Sequence, residues 1–140
     1  MPIDNHITSR QNERIKAAAK LRNSRQRVRQ GRILVDGARP ILRALKAGVD
    51  VTEAYVCQEL IDTNERKEAA DALAQQAETC STVSADVYAK LAFGDNDDGL
   101  VAIAARPERK LADLQVPEHP LIAVLEGLEK PGNVGAILRS

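Results

Sequence analysis

Four short runs rich in apolar and β-branched residues recur along the chain: ILV at 33–35, TEAYVCQ at 52–58, TCSTV at 79–83 and LVAIAA from Leu100. Stretches of helix-forming residues separate them. Each run is strand-sized, and the order alternates helix and strand throughout. That alternation constrains the fold more than any other feature, and it predicts an α/β class with helices on both faces of a sheet. The punctuation agrees. Asp36-Gly37 closes the first strand, and ARPILRALKAG then reads as a helix with Ile41, Leu42 and Leu45 inward and Gly48 as its stop. Thr63 is a plausible N-cap for an Ala-rich, charged helix running to Glu78, and Ser84 caps another through Leu91. GDNDDG, at 94–99, reads as the loop before the last of the four strands.

Ahead of the first strand the pattern differs. Asn12 to Gln30 holds strong helix formers and no Pro or Gly until Gly31, which predicts one continuous helix. Ile15, Ala18, Leu21 and Val28 form its packing stripe, and Arg22, Arg25 and Arg29 recur at i, i+3, i+7 on another face. The formal net charge of zero hides a segregation. Residues 1–32 hold nine basic side chains against two acidic ones, +7, and the remainder balances this at −7. Guanidinium groups about one helical turn apart suit consecutive phosphates, so a polyanion is the expected partner of this arm. A solvated helix face is the plainer alternative on charge alone.

Composition narrows the classes. Aromatics are 2% of the chain, with no Trp and one Phe, so base stacking is not expected to be the main recognition device. Cys57 and Cys80 match no zinc or redox spacing and are expected to be buried strand residues in a reducing, cytoplasmic setting rather than a disulfide. No apolar run approaches membrane-spanning length, and neither secretion nor membrane insertion is expected.

The character changes around Arg106. RPERKLADLQVPEHP carries three prolines and mixed charge, as an interdomain connection would. LIAVL, Leu121 to Leu125, then reads as a strand buried on both faces. The turn GLEKPGNV lacks the Lys and Ser/Thr of a Walker loop, and no G-x-G-x-x-G is present, so neither nucleotide fold is supported. What remains is strand, Pro-Gly turn and helix, with Asn133 at the expected N-cap and Arg139 ~9 Å further along the axis. An ordinary strand–turn–helix with a surface Arg accounts for the spacing equally well.

LIAVLEGLEKPGNVGAILRS resembles the first signature of the SpoU/TrmH branch of the SPOUT RNA methyltransferases, which runs through Pro, Asn, Gly and Arg in this order. ITSRQNERIKAAAKLR and ILVDGARPILRALKAG resemble the N-terminal substrate-binding domain of the same family. Lys130 departs from the acidic residue that many relatives carry before the Pro. The resemblance implies a kink-turn-binding, ribosomal-protein-like α/β/α sandwich over 1–106, a linker over 107–119, and at 120–140 the first strand and partial helix of an α/β-knot methyltransferase domain. It implies ribose 2′-O-methylation of structured ribosomal or transfer RNA, with S-adenosyl-L-methionine as donor and Asn133 and Arg139 in the active site. RNA contacts would come from Arg10, Arg14, Lys16, Arg22, Arg25, Arg29, Gly37 and Arg39.

The family builds its donor pocket from later segments that this chain does not contain. The expectation is therefore of a front portion of a longer, homodimeric enzyme: by itself monomeric, inactive, not binding the donor, and with the residues after about 126 either disordered or packed opportunistically. A non-catalytic RNA-binding protein of ribosomal-protein-like fold is the alternative. An interaction domain for an acidic protein is a third.

Overall fold

The structure, a computed structural model, describes residues 6–127 and 130–140. They form two units, Met1–Pro107 and Glu108–Ser140. In the first, the elements run β1 (His6–Ile7), α1 (Glu13–Lys20), α2 (Ser24–Gln30), β2 (Arg32–Asp36), α3 (Ala38–Lys46), β3 (Val51–Val56), α4 (Asn64–Gln76), β4 (Thr79–Val83), α5 (Ala85–Leu91) and β5 (Leu100–Ala105). The five strands make one sheet in the order β1-β4-β3-β5-β2. β3 pairs parallel with β4, and β4 with β1, while β5 runs antiparallel between β3 and β2. The α/β expectation holds, as a mixed sheet with helices on both faces.

Side chains alternate across a strand, so the central pair β3–β5 feeds two cores at once. Tyr55, Val101 and Ile103 join Ile15, Ala18 and Leu21 of the first helical segment and Val87 and Leu91 of α5. Ala54, Val56, Leu100, Ala102 and Ala104 face Ala38 and Ile41 of α3 and Ala69 and Leu73 of α4. A bulge lies between Val51 and Glu53, where Val51 pairs with Ala104 and Glu53 with the adjacent Ile103. The extra residue, Thr52, gives its hydroxyl to the Ile103 carbonyl at 3.2 Å. The bulge lets Val51 face the second core while Glu53 shares the face of Tyr55. Cys57 and Cys80 are free and buried as expected, Cys80 within β4 but Cys57 just past the end of β3 rather than in the strand.

The first helix is not continuous. α1 ends at Lys20, and Asn23 caps a new helix by accepting from the Arg25 N–H at 2.9 Å. An Asn in this position offers the backbone an alternative to another helical hydrogen bond, and a capped restart wins here. α2 buries none of its residues, and Val28, assigned to the packing stripe, is exposed. Thr63 and Ser84 do cap α4 and α5, accepting from Arg66 N–H at 3.2 Å and Val87 N–H at 3.4 Å.

In the second unit, Leu121 to Leu125 are exposed and form no strand. Among the described residues of 108–140 there is a single 3-10 turn, Leu111–Asp113, and one helix, α6 (Pro131–Arg139), with no second strand to pair with the apolar run. α6 starts before Asn133. Pro131 takes the first helical position, where its fixed φ and missing N–H are no handicap. Asn133 therefore lies within the first turn, its N–H on the Lys130 carbonyl at 3.0 Å, and is not the N-cap. The helix is present where the sequence suggested disorder or opportunistic packing, and Ser140 closes it with its hydroxyl on the Ala136 carbonyl at 3.0 Å. The turn residues Leu128 and Glu129 lie outside the described residues. No described helix is long and apolar enough to cross a membrane.

Gly99 marks the tightest backbone approach. Its φ is +73°, and a Cβ there would fall 2.8 Å from Leu60 Cβ and 3.0 Å from the Cys57 carbonyl oxygen. Gly31, with φ +62°, has open space around it. Gly31→Ala is expected to cost about 1 kcal/mol, the left-handed strain alone. Gly99→Ala should cost at least about 2 kcal/mol more, because the clash adds to the strain. Urea unfolding followed by circular dichroism measures the difference; equal losses would remove the close-packing argument.

Candidate nucleic-acid interface

The β2–α3 junction, the start of β5 and the 92–99 loop converge at one end of the sheet. Gly37 N–H reaches the Leu100 carbonyl at 3.1 Å, and Cys57 N–H reaches that of Gly99 at 2.8 Å. Gly37 caps α3 with φ 97° and has no side chain to accept from the first turn. Asp98 serves instead, its Oδ2 accepting the Ala38 N–H at 2.9 Å from sixty positions away. A Cβ on Gly37 would fall 3.0 Å from that oxygen and 3.3 Å from Asn96 Nδ2. The space beside Gly37 is thus filled by the chain's own loop.

Asp36 organises the loop from beneath. Its carboxylate accepts from the Phe93 N–H and from Asn96 Nδ2, both at 2.6 Å. Burial pushes its pKa above the usual carboxylate value, although these two donors favour the charged form. Tyr88 donates its hydroxyl to the Asn96 carbonyl at 3.2 Å, and burial pushes that phenol up to about 12. From above, Arg22 donates to the Ala92 carbonyl and lays its guanidinium over the Phe93 ring, 5.2 Å from the centroid. Sequence reasoning took GDNDDG for a plain connection. The signal available was an acidic run between two glycines, directly after the one phenylalanine.

The basic arm is dispersed by this fold. Arg10 pairs with Asp86 at 3.1 Å, Lys16 with Glu13 at 2.9 Å, and Arg39 with Glu65 at 2.8 Å. Arg14 and Arg32 converge on the half-buried Glu53 at 3.2 and 2.5 Å, and Tyr55 donates its hydroxyl to the same carboxylate. The break before α2 leaves Arg22 in a turn, so the expected three-arginine stripe does not form on one helix. Arg25 and Arg29 remain exposed on α2, and among the described residues neither has a side-chain partner. Arg27 folds back instead, donating to the Leu21 and Arg22 carbonyls at 3.0 and 2.9 Å.

In the second unit Asn133 and Arg139 are both exposed on α6. A Cβ on Gly135 would fall 3.1 Å from an Arg139 guanidinium nitrogen, so the arginine lies along its own helix.

The model of the MRM3-like substrate binding domain matches residues 12–102, and the chain belongs to that family. It is 33% identical over 135 residues to a Synechocystis protein named as an uncharacterized tRNA/rRNA methyltransferase, covering 96% of this chain and 47% of that one. It is 32% identical over 126 residues to the mouse mitochondrial rRNA methyltransferase 3, covering 81% of this chain and 27% of that protein. The chain thus spans about half or less of these relatives. A crystal structure of an RNA 2′-O ribose methyltransferase superposes with a TM-score of 0.77 at 42% identity, over 96% of this chain and 50% of that one. The fold is also that of AviRb, a SpoU methyltransferase from Streptomyces viridochromogenes, with a TM-score of 0.61 at 23% identity over 77% of this chain and 40% of that one.

Glu53 generates a pH prediction. Burial alone would raise its pKa, but the Tyr55 hydroxyl and the Arg14 and Arg32 charges outweigh it and hold the carboxyl below its ordinary value. A depressed carboxylate stabilises the fold fully above its unfolded pKa, about 4.3, and that stability is lost as pH falls through the lower folded value. Glu53→Gln is expected to cost about 2 kcal/mol at pH 7, less than a fully buried pair because Arg14 is partly exposed. The deficit should shrink as pH falls below 4. Chemical denaturation of both proteins from pH 3 to 7 measures it, and a constant deficit would sink the assignment.

Proposed function

We propose that residues 1–106 are the part of an RNA methyltransferase that holds structured RNA, and that α2 carries the phosphate contacts through Arg25 and Arg29. The observation behind this is the contrast within the basic arm. Arg10, Arg14, Lys16 and Arg32 are engaged by the chain's own carboxylates, whereas α2 presents Arg25 and Arg29, without a side-chain partner among the described residues, to solvent on a helix with no buried residue. Membership of a substrate-binding-domain family and the likeness to a ribose methyltransferase supply the substrate class.

In a protein of the relatives' length, residues 107–119 link this domain to a methyltransferase domain that begins near residue 120. The first domain is of the ribosomal-protein-like, kink-turn-binding kind and the second of the knotted kind. S-adenosylmethionine supplies the methyl group there, and ribosomal or transfer RNA accepts it at a ribose 2′-hydroxyl. Arg139 offers guanidinium N–H donors and no acceptor. Its role beside Asn133 is to hold a phosphate and orient the ribose rather than to remove a proton.

Arg25→Ala/Arg29→Ala is expected to weaken binding to a paired RNA hairpin and to flatten the slope of log K against log salt by about 2. Filter binding across a salt series reads both quantities. An unchanged slope would take α2 out of the interface.

A further inference from the structure

The chain has three aromatic residues, and two of them, Tyr55 and Tyr88, are buried in the first core. The third, Phe93, is 43% exposed in a loop. A large apolar ring left in water contributes little to folding, yet the backbone at this point is held from several sides. Asp36 takes the Phe93 N–H, the Phe93 carbonyl accepts from Asn96 N–H at 3.2 Å, and Asp36 also holds the Asn96 side chain. Arg22 fixes the preceding carbonyl and covers the ring with its guanidinium. The result is a rigid, exposed, cationic aromatic plate. Arg25 follows Arg22 by three residues, which places the plate at the start of the helix assigned to phosphate contact.

We infer that Phe93 and Arg22 form a stacking site for one unpaired nucleobase of the bound RNA. This inference rests on the RNA-binding reading above and deepens it, since phosphate contacts position a nucleic acid and an unstacked base adds discrimination. Every base has a π-face, and both an aromatic ring and a guanidinium plane can receive it. The site selects for a bulged or looped residue over a continuous helix, because a base within a duplex is already stacked. The low aromatic content argued against stacking as the main source of affinity; one plate is compatible with that and serves to distinguish RNA shapes.

The test uses the whole chain and two short RNA hairpins, one with 2-aminopurine as a single bulged residue and one with it paired in the stem. Phe93→Leu keeps an apolar side chain at an exposed position and is expected to melt where the parent does. The parent should quench the bulged 2-aminopurine on binding. Phe93→Leu should lose that quenching and bind the bulged hairpin about fivefold to a hundredfold more weakly, with the paired hairpin unaffected. Equal binding and quenching by the two proteins would overturn the stacking site while leaving the RNA reading in place. So would an equal loss on both hairpins, which would mark Phe93 as a structural residue of the loop. If the parent binds neither hairpin, the RNA reading falls and the stacking site falls with it.

Discussion

The antiparallel pairing of β3 with β5 is the constraint on which the first unit depends. Both strands lie inside the sheet and both faces are covered by helices, so the buried residues of the pair divide between the two cores. Tyr55 opposite Val101 and Ala54 opposite Ala102 set that division, and a slip of one residue would turn every side chain to the wrong face. The bulge at Thr52 is the one place where the alternation is interrupted. Through it the same strand lines one core with Val51 and still delivers Glu53 to the arginines on the opposite face.

The arrangement of the 92–99 loop is a consequence of the same pair. Where β5 begins, Gly99 lies against Cys57 and Leu60, and Leu100 holds Gly37. These two anchors lower the 92–99 loop onto the start of α3, where Asp98 takes over the capping that a glycine cannot provide. Asp36 then fixes the loop's first residues from below. Phe93 is held at the surface by the hydrogen bond of its N–H to Asp36 and by the Arg22 guanidinium over its ring.

Electrostatics gives the second theme. The chain is formally neutral, with its positive charge gathered in the first 32 residues. Folding brings part of that charge against the acidic remainder, through Asp86 and Glu53. Neutralisation is uneven, and α2 is left out because the Asn23 cap and the Gly31 turn hold it away from both cores. The cations left for a polyanion under the proposed reading are thus those that the fold does not use.

Strand and helix identities were legible in the sequence because they rest on local periodicity and on caps such as Thr63 and Ser84, which act within a few residues. The family resemblance was legible for a similar reason, as short motifs in order. Local reasoning failed at Asn23, where a capping side chain interrupts good helix formers, and at Leu121–Leu125, where an apolar run has no neighbouring strand. It failed again at Asn133, where Pro131 starts the helix three residues early. The sequence by itself therefore determined the layered α/β class, the buried thiols and the segregation of charge. Only the tertiary structure decided which arginines are free and that Asp36 and Arg22 present Phe93. Those outcomes join residues between 26 and 76 positions apart, and no local pattern records contacts made across such separations.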